Sequence, residues 1–251
     1  MRRPRIIPVL LLKDRGLVKT TRFGKPIYIG DPINAVRIFN DLYADELVFL
    51  DIDATKQGKS IDLEFVKEVA EEANMPFSVG GGIRSLKQIH ETISAGAERV
   101  IIGTHAAQNP KFIREASEEF GSSTISVCID YKKRLFGGIK AFVQNGSVST
   151  VFHPLELAKR MEGQGAGELI IQSVSHDGTM QGYDLPLLKE ISESVGIPVV
   201  GLGGAGTEDH LREAFNQACL SGVAAGSLFV YKGNQKGVLI NYPENKKTRF
   251  V

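Results

Sequence analysis

Glu46-Leu47-Val48-Phe49-Leu50-Asp51-Ile52 and, 122 residues later, Glu168-Leu169-Ile170-Ile171-Gln172-Ser173-Val174 begin two stretches that stay in register without a gap. The same shift lays Asp62-Leu63 on Asp184-Leu185, Lys67-Glu68 on Lys189-Glu190, Pro76 on Pro198 and Gly81-Gly82 on Gly203-Gly204, giving ten identities over positions 46–85. Each stretch is an apolar, β-branched run followed by a helical pattern, such as Leu63, Val66, Val69 and Ala70 on one face, and closes on a second strand ending in Gly-Gly. The offset is nearly half of the 251 residues, so the chain reads as two copies of one βα-built half.

Working outward, further short apolar runs lie at 6–12, 76–79, 99–103, 124–130, 198–202 and 222–226, which with the two above make eight strand candidates. Helical patterns separate most of them. Continuous apolar strands of this kind are buried on both faces, as in parallel sheets. Eight βα units in 251 residues predict an α/β fold, a single (β/α)8 TIM barrel of two repeated half-barrels, with residues 1–251 as one domain. Two segments depart from the repeat. Residues 13–31 read as a long loop carrying Lys19, Arg22 and Lys25, more a mobile lid than packed structure. Residues 139–148 read as a hairpin turning at Asn145-Gly146, a type I′ signal. Both should lie on the C-terminal face, where barrels of this kind carry their sites.

Composition narrows the function. A 42% hydrophobic, 24% charged chain excludes a disordered or fibrous protein, and a net charge of +1 offers no global field for nucleic acid or an acidic membrane. Any anion must be bound locally. The two cysteines, Cys128 and Cys219, form no disulfide framework, and no membrane span or signal peptide is evident, so a reduced, cytoplasmic protein is expected. The five histidines show no ligand spacing, so neither a metal nor a cofactor is expected.

Glycine is the compositional outlier, with 27 residues, and its placement suggests anion binding. Gly81-Gly82 and Gly103-Thr104 follow the third and fourth strands; Gly203-Gly204 and Gly226-Ser227 follow the seventh and eighth. Backbone N–H groups approach a phosphate closely at glycine, and the Thr104 and Ser227 hydroxyls add donors. The symmetric pairing predicts a long, doubly phosphorylated ligand, with Lys19 covering one end; tight βα turns alone would explain any single Gly-Gly. Asp130 ends the fifth strand and Asp177 follows the sixth, both placed for acid/base work, whereas Asp51 and Asp53 read as structural supports. At the strand starts, Arg5, Glu46, Arg99 and Glu168 should ring the opposite mouth with alternating charge.

These motifs together, with Arg5-Ile6-Ile7-Pro8, Gly165-Ala166-Gly167-Glu168, Asp177-Gly178-Thr179 and Gly203-Gly204-Ala205-Gly206, resemble the cyclase subunit (HisF family) of imidazole glycerol phosphate synthase over residues 5–230. The resemblance implies a barrel that receives ammonia from a HisH-like glutaminase partner and delivers it to a bisphosphorylated formimino-ribonucleotide. It implies that Gly81, Gly82, Thr104, Gly203, Gly204, Gly226, Ser227 and Lys19 hold phosphate, that Asp130 and Asp177 are catalytic, and that Arg5, Glu46, Arg99 and Glu168 gate an ammonia channel. One position breaks the pattern. Leu11 stands where the family carries its other catalytic aspartate, and losing an acid/base group removes about 10²- to 10⁴-fold in rate. The stretch from Lys236 to Pro243 also departs from the family's longer final helix. Three readings follow: a subunit diverged toward ammonia supply for a sugar-amidating enzyme of surface-polysaccharide biosynthesis, a cyclase of histidine biosynthesis, and a phosphate-binding scaffold for the glutaminase.

Overall fold

The computed structural model describes residues 4–134, 138–233 and 237–243. Eight parallel strands, each at its expected place, form the ring: β1 (Arg5–Lys13), β2 (Leu47–Asp51), β3 (Phe77–Gly80), β4 (Arg99–Ile102), β5 (Ile125–Lys133), β6 (Glu168–Ser173), β7 (Val199–Leu202) and β8 (Gly222–Ala225). Each pairs with its neighbours in the chain, and β8 closes onto β1 with Ile6 opposite Val223. This is a single (β/α)8 barrel. The domain reading 1–251 and the departure beginning at Lys236 fall partly outside the described residues.

The duplication is visible in backbone geometry. Leu47 to Leu50 face Phe77 to Gly80, and Leu169 to Gln172 face Val199 to Leu202, in the same register. The Leu47 amide donates to the Pro76 carbonyl at 3.0 Å and the Leu169 amide to the Pro198 carbonyl at 2.9 Å.

Among the described residues, seven helices of nine residues or more cover the ring: α1 (Pro32–Asp41), α2 (Leu63–Glu72), α3 (Leu86–Ser94), α4 (Lys111–Phe120), α5 (Pro154–Gly163), α6 (Leu185–Ser194) and α7 (Glu208–Ala218). Their starts are written locally: the Asp62 carboxylate accepts from the Glu64 amide and the Ser85 hydroxyl from the Gln88 amide. After β8, only the turn Ser227–Val230 is helical among the described residues. Tyr242 packs there instead, its ring 5.6 Å from Phe229, its hydroxyl donating to the Ile6 carbonyl and accepting from the Asp45 amide.

Alternation along each strand splits the interior in two. Leu47 and Phe49 point out to the helices, with Phe49 edge-on to Phe65 and Phe77; Ile7, Val9, Leu11, Val48, Ile101, Ile170 and Val200 point in and pack together. The bore is therefore packed with side chains, as expected when eight strands enclose just enough width for their own residues.

The reading of residues 13–31 as unpacked loop is also corrected. Gly16–Lys19 pairs antiparallel with β1, and Ile27–Gly30 pairs with Gly16–Lys19. Leu17 and Val18 are buried, Val18 among the bore residues, so this segment extends the sheet. The 139–148 hairpin forms as expected: Ile139–Val143 pairs with β5 and with Val148–Ser149, and the Ser147 amide returns to the Gln144 carbonyl across Asn145 (φ 55°) and Gly146 (φ 70°).

Phe49, fully buried between two aromatic rings, anchors the outer layer. Phe49→Ala is expected to cost about 3–5 kcal/mol, read as a lower denaturant midpoint with an unchanged slope.

Candidate active site

The C-terminal rim holds a cavity of about 510 Å³, its wall including Leu11, Asp51, Gly81, Gly82, Thr104 and Asp130. The two hairpins roof it. The Gln144 amide donates to the Thr104 hydroxyl at 2.9 Å, the Asn145 side-chain amide donates to the Ile52 carbonyl, and Phe23 of the first hairpin abuts Gly146 of the second. Asp51 and Asp53 are supports, as expected: Asp51 Oδ1 accepts the Asp53 and Ala54 amides, each at 3.0 Å, and Asp53 pairs with Lys13 at 2.7 Å.

A smaller recess adjoins the cavity, sharing Leu11 and Gln172 with it and lined by Lys19, Asp177, Gly203, Gly204, Gly226 and Ser227. All eight residues read as phosphate ligands thus reach the rim, but in unequal surroundings. Gly81, Gly82 and Thr104 open on the large cavity, whereas the second set surrounds about 10 Å³. The reason is Lys19. Its side chain is buried, and a Cβ at Gly226 would collide with its ammonium nitrogen. Gly204 (φ 116°) has a reason independent of any ligand: a Cβ there would strike the Gly182 carbonyl, whose residue donates its own amide to Gly204.

The two candidate carboxylates sit in different electrostatic settings. Asp130, pointing inward from β5, is pushed up to about 7, chiefly by burial, with the charge of Asp177 adding to the shift and the Cys128 thiol and Lys132 opposing it. Cys128 Sγ lies 3.6 Å from Asp130 Oδ1, while Lys132 turns to the Gly146 carbonyl. Asp177 is also raised by burial, against the pull of Lys19 and of the Thr20 hydroxyl, which donates to Oδ2 at 3.0 Å. Burial in turn lowers Lys19. Leu11, where the resemblance asks for a carboxylate, is 6% exposed and packs with the bore residues.

At the other end of the bore, the four expected charges meet. Arg5 binds Glu46 at 2.7 Å and also Glu168; Arg99 lies 3.2 Å from Glu46 and 3.9 Å from Glu168. Ser78 donates to Glu46 at 3.0 Å and Ser126 to Glu168 at 3.4 Å. The ring is closed by ion pairs. Burial is the largest influence on Glu46 and leaves it raised in spite of both arginines.

Sequence reasoning missed Thr20, Cys128 and Gln172. The last two show no local motif; only the pairing of β5 with β6 sets Gln172 beside Asp130 and brings Cys128 Sγ to 3.7 Å from Gln172 Oε1. His176 binds the Ser173 hydroxyl at 2.9 Å, and His105 packs on Phe112. Among the described residues no group of His, Cys, Asp and Glu could hold a metal ion, and no helix is long and apolar enough to cross a membrane.

A two-fold repeated (β/α)8 barrel with glycine-turned recesses at one mouth and a charged ring at the other defines a class, and comparison with known proteins agrees with it. Residues 5–236 match the family described as histidine biosynthesis protein, and the chain belongs to that family. Within it the chain sits with the HisF-type subunits. It is 47% identical to a Leptospira borgpetersenii protein provisionally named imidazole glycerol phosphate synthase subunit HisF, across 97% of this chain and 96% of that one. It is 44% identical to the Pseudomonas aeruginosa protein given the same provisional name as subunit hisF2, across 98% of each. A Vibrio vulnificus protein, provisionally subunit hisF3, is 43% identical across 98% of this chain and 96% of its own length.

The raised Asp130 has a consequence for stability. The folded protein keeps this proton where the unfolded chain has lost it, so from about pH 4 up to the folded value wild-type stability falls as pH rises. Asp130→Asn carries no such proton. Calorimetry should show the variant's Tm gaining on the wild type through that window and the difference holding level above about pH 7.

Proposed function

We propose that this chain is the synthase subunit of a glutamine amidotransferase complex, taking ammonia from a HisH-like glutaminase seated on the charged-ring face and releasing it at the opposite mouth. One combination carries the reading. Arg5, Glu46, Arg99 and Glu168 form a complete ring, while Leu11 removes a carboxylate on which the resemblance rests cyclisation. A scaffold alone has no use for a polar aperture at the floor of an apolar bore. Because the ring is ion-paired and the bore packed, passage requires Arg5 or Arg99 to swing aside and the bore side chains to part, and binding of the glutaminase supplies that opening.

With cyclisation weakened, the ammonia serves another acceptor: a sugar amidated by a separate enzyme of surface-polysaccharide biosynthesis, in the cytoplasm. At the mouth, Asp130 exchanges protons near neutrality, the charge of Asp177 opposes the burial that lowers Lys19, and Gly81, Gly82 and Thr104 hold a phosphorylated ligand. Gly203, Gly204, Gly226 and Ser227 hold a second phosphate once Lys19 moves. No nucleic acid or membrane takes part.

The second reading is the cyclase of histidine biosynthesis, with formimino-ribonucleotide bisphosphate and ammonia giving imidazole glycerol phosphate and aminoimidazole carboxamide ribotide. The names of the relatives favour it. Position 11 separates the two. If the site is otherwise that of a cyclase, Leu11→Asp raises ammonium-dependent cyclisation by about 10²- to 10⁴-fold; in the amidation reading it does not.

The delivery step has its own test in the full complex with glutaminase. Glu46→Gln or Glu168→Gln should lower glutamine-dependent product formation at least about tenfold while ammonium-dependent formation is unchanged. Equal losses in both assays, or none, would remove the channel.

A further inference from the structure

Three side chains from adjacent strands converge at the inner end of the large cavity. Cys128 and Asp130 are two residues apart on β5 and so face the same way, and Gln172 on β6 is directly opposite Asp130 in the sheet. Cys128 Sγ lies 3.6 Å from Asp130 Oδ1 and 3.7 Å from Gln172 Oε1. All three line the cavity, between the apolar walls of Leu11, Leu50 and Ile101 and above Ile170 and Val200 of the bore.

The hydrogen-bonding capacity of this trio is lopsided. The thiol has one proton and donates once, yet it faces two oxygen acceptors, each with lone pairs to spare. A guest that completes the set must offer N–H or O–H donors to both oxygens and a lone pair to the thiol proton. Ammonia has three donors and one lone pair. Water meets the same three groups with a lone pair left over, ammonium has no lone pair for the thiol, and a sodium ion has no donor.

We propose that Cys128, Asp130 and Gln172 form a receiving site for one ammonia molecule where the bore opens into the cavity. The site rests on the delivery reading above and names where the nucleophile waits. Ammonia donates to Asp130 and Gln172 and accepts from Cys128; no covalent bond forms or breaks. Burial raises the thiol well above its ordinary range, so the S–H donor persists into mildly alkaline solution.

The thiol proton reports on its own acceptor through the infrared S–H stretch. In a Cys219→Ser variant of the full chain, Cys128 is the remaining thiol. Ammonium chloride should move its band to lower frequency in a saturable way. At fixed total ammonium the shift should grow as pH rises from about 7 to 9, tracking the free base, once the spectrum at the same pH without ammonium is subtracted. Sodium chloride and trimethylamine, which offers a lone pair but no N–H as free base, should leave the band in place. Gln172→Leu or Asp130→Asn should raise the half-saturating concentration about tenfold each, with circular dichroism confirming the fold. A band unmoved by ammonia, moved equally by sodium, or indifferent to pH overturns the site. The delivery reading fails separately: a responding band beside ring variants that keep full glutamine-dependent turnover leaves the site standing and the channel fallen.

Discussion

Closing eight parallel strands into a ring gives every strand residue one of two destinations, the bore or the layer beneath the helices, and that parity governs the rest of the molecule. On β1, Arg5, Ile7, Val9 and Leu11 face inward from floor to rim, while Ile6, Leu10 and Leu12 join the outer layer. On β6 the inward file is Glu168, Ile170 and Gln172. A slip of one residue in either strand would bury its charge under a helix and send its aliphatic residues to the wrong layer. The charged floor, apolar shaft and polar rim are one pattern read along several strands, and the duplication fixes it twice, since β2–β3 and β6–β7 share a register.

The same geometry sets the electrostatics. A bore filled by Ile7, Val48, Ile170 and Val200 holds little water to solvate charge, so groups at both ends are biased toward their neutral forms: Glu46, Asp130 and Asp177 are raised and Lys19 is lowered. At the floor two arginines compensate. Such a buried cluster is poor value as a stabilising device, because desolvation consumes most of the Coulombic gain, yet removing one member leaves its partner charged and alone. The four ring residues are thus bound to one another more by the cost of separation than by any surplus of stability. At the rim, Asp130 has no such partner, with Lys132 drawn off to the Gly146 carbonyl, and burial pushes it up to about 7.

How much of this could be read in the sequence depends on the range of the interaction that creates it. Strands buried on both faces announce themselves as apolar runs, and all eight were legible; so was the floor ring, because Arg5, Glu46, Arg99 and Glu168 occupy strand starts and parity does the rest. The segment 13–31 was not, since Leu17 and Val18 are an isolated apolar pair between Gly16 and Lys19 and the strand exists through pairing with β1. Lys19, read as covering a phosphate from a mobile loop, is instead buried for the same reason. Gln172 and Cys128 had no motif to betray them: their proximity is a cross-strand fact, set by the β5–β6 register across more than forty residues.

The repeat also misled in one respect, and the reason is physical. Symmetric glycine pairs imply two equal anion recesses, but the recesses are finished by segments outside the repeat. The hairpin after β1, the first strand of one half, carries Lys19 into the recess at Gly203, Gly204 and Gly226; the hairpin after β5, the first strand of the other half, lays Gln144 and Asn145 over the recess at Gly82 and Thr104 and leaves it open beneath. Duplication therefore supplied a symmetric frame, and divergence of two rim hairpins gave one end a cation and the other a cavity. The bore-facing side chains of those same first strands diverged in step. Asp130 on β5 puts a carboxylate against the cavity, whereas Leu11 on β1 puts a hydrocarbon wall there, so the two first strands, equivalent in the repeat, offer the cavity unlike chemistry.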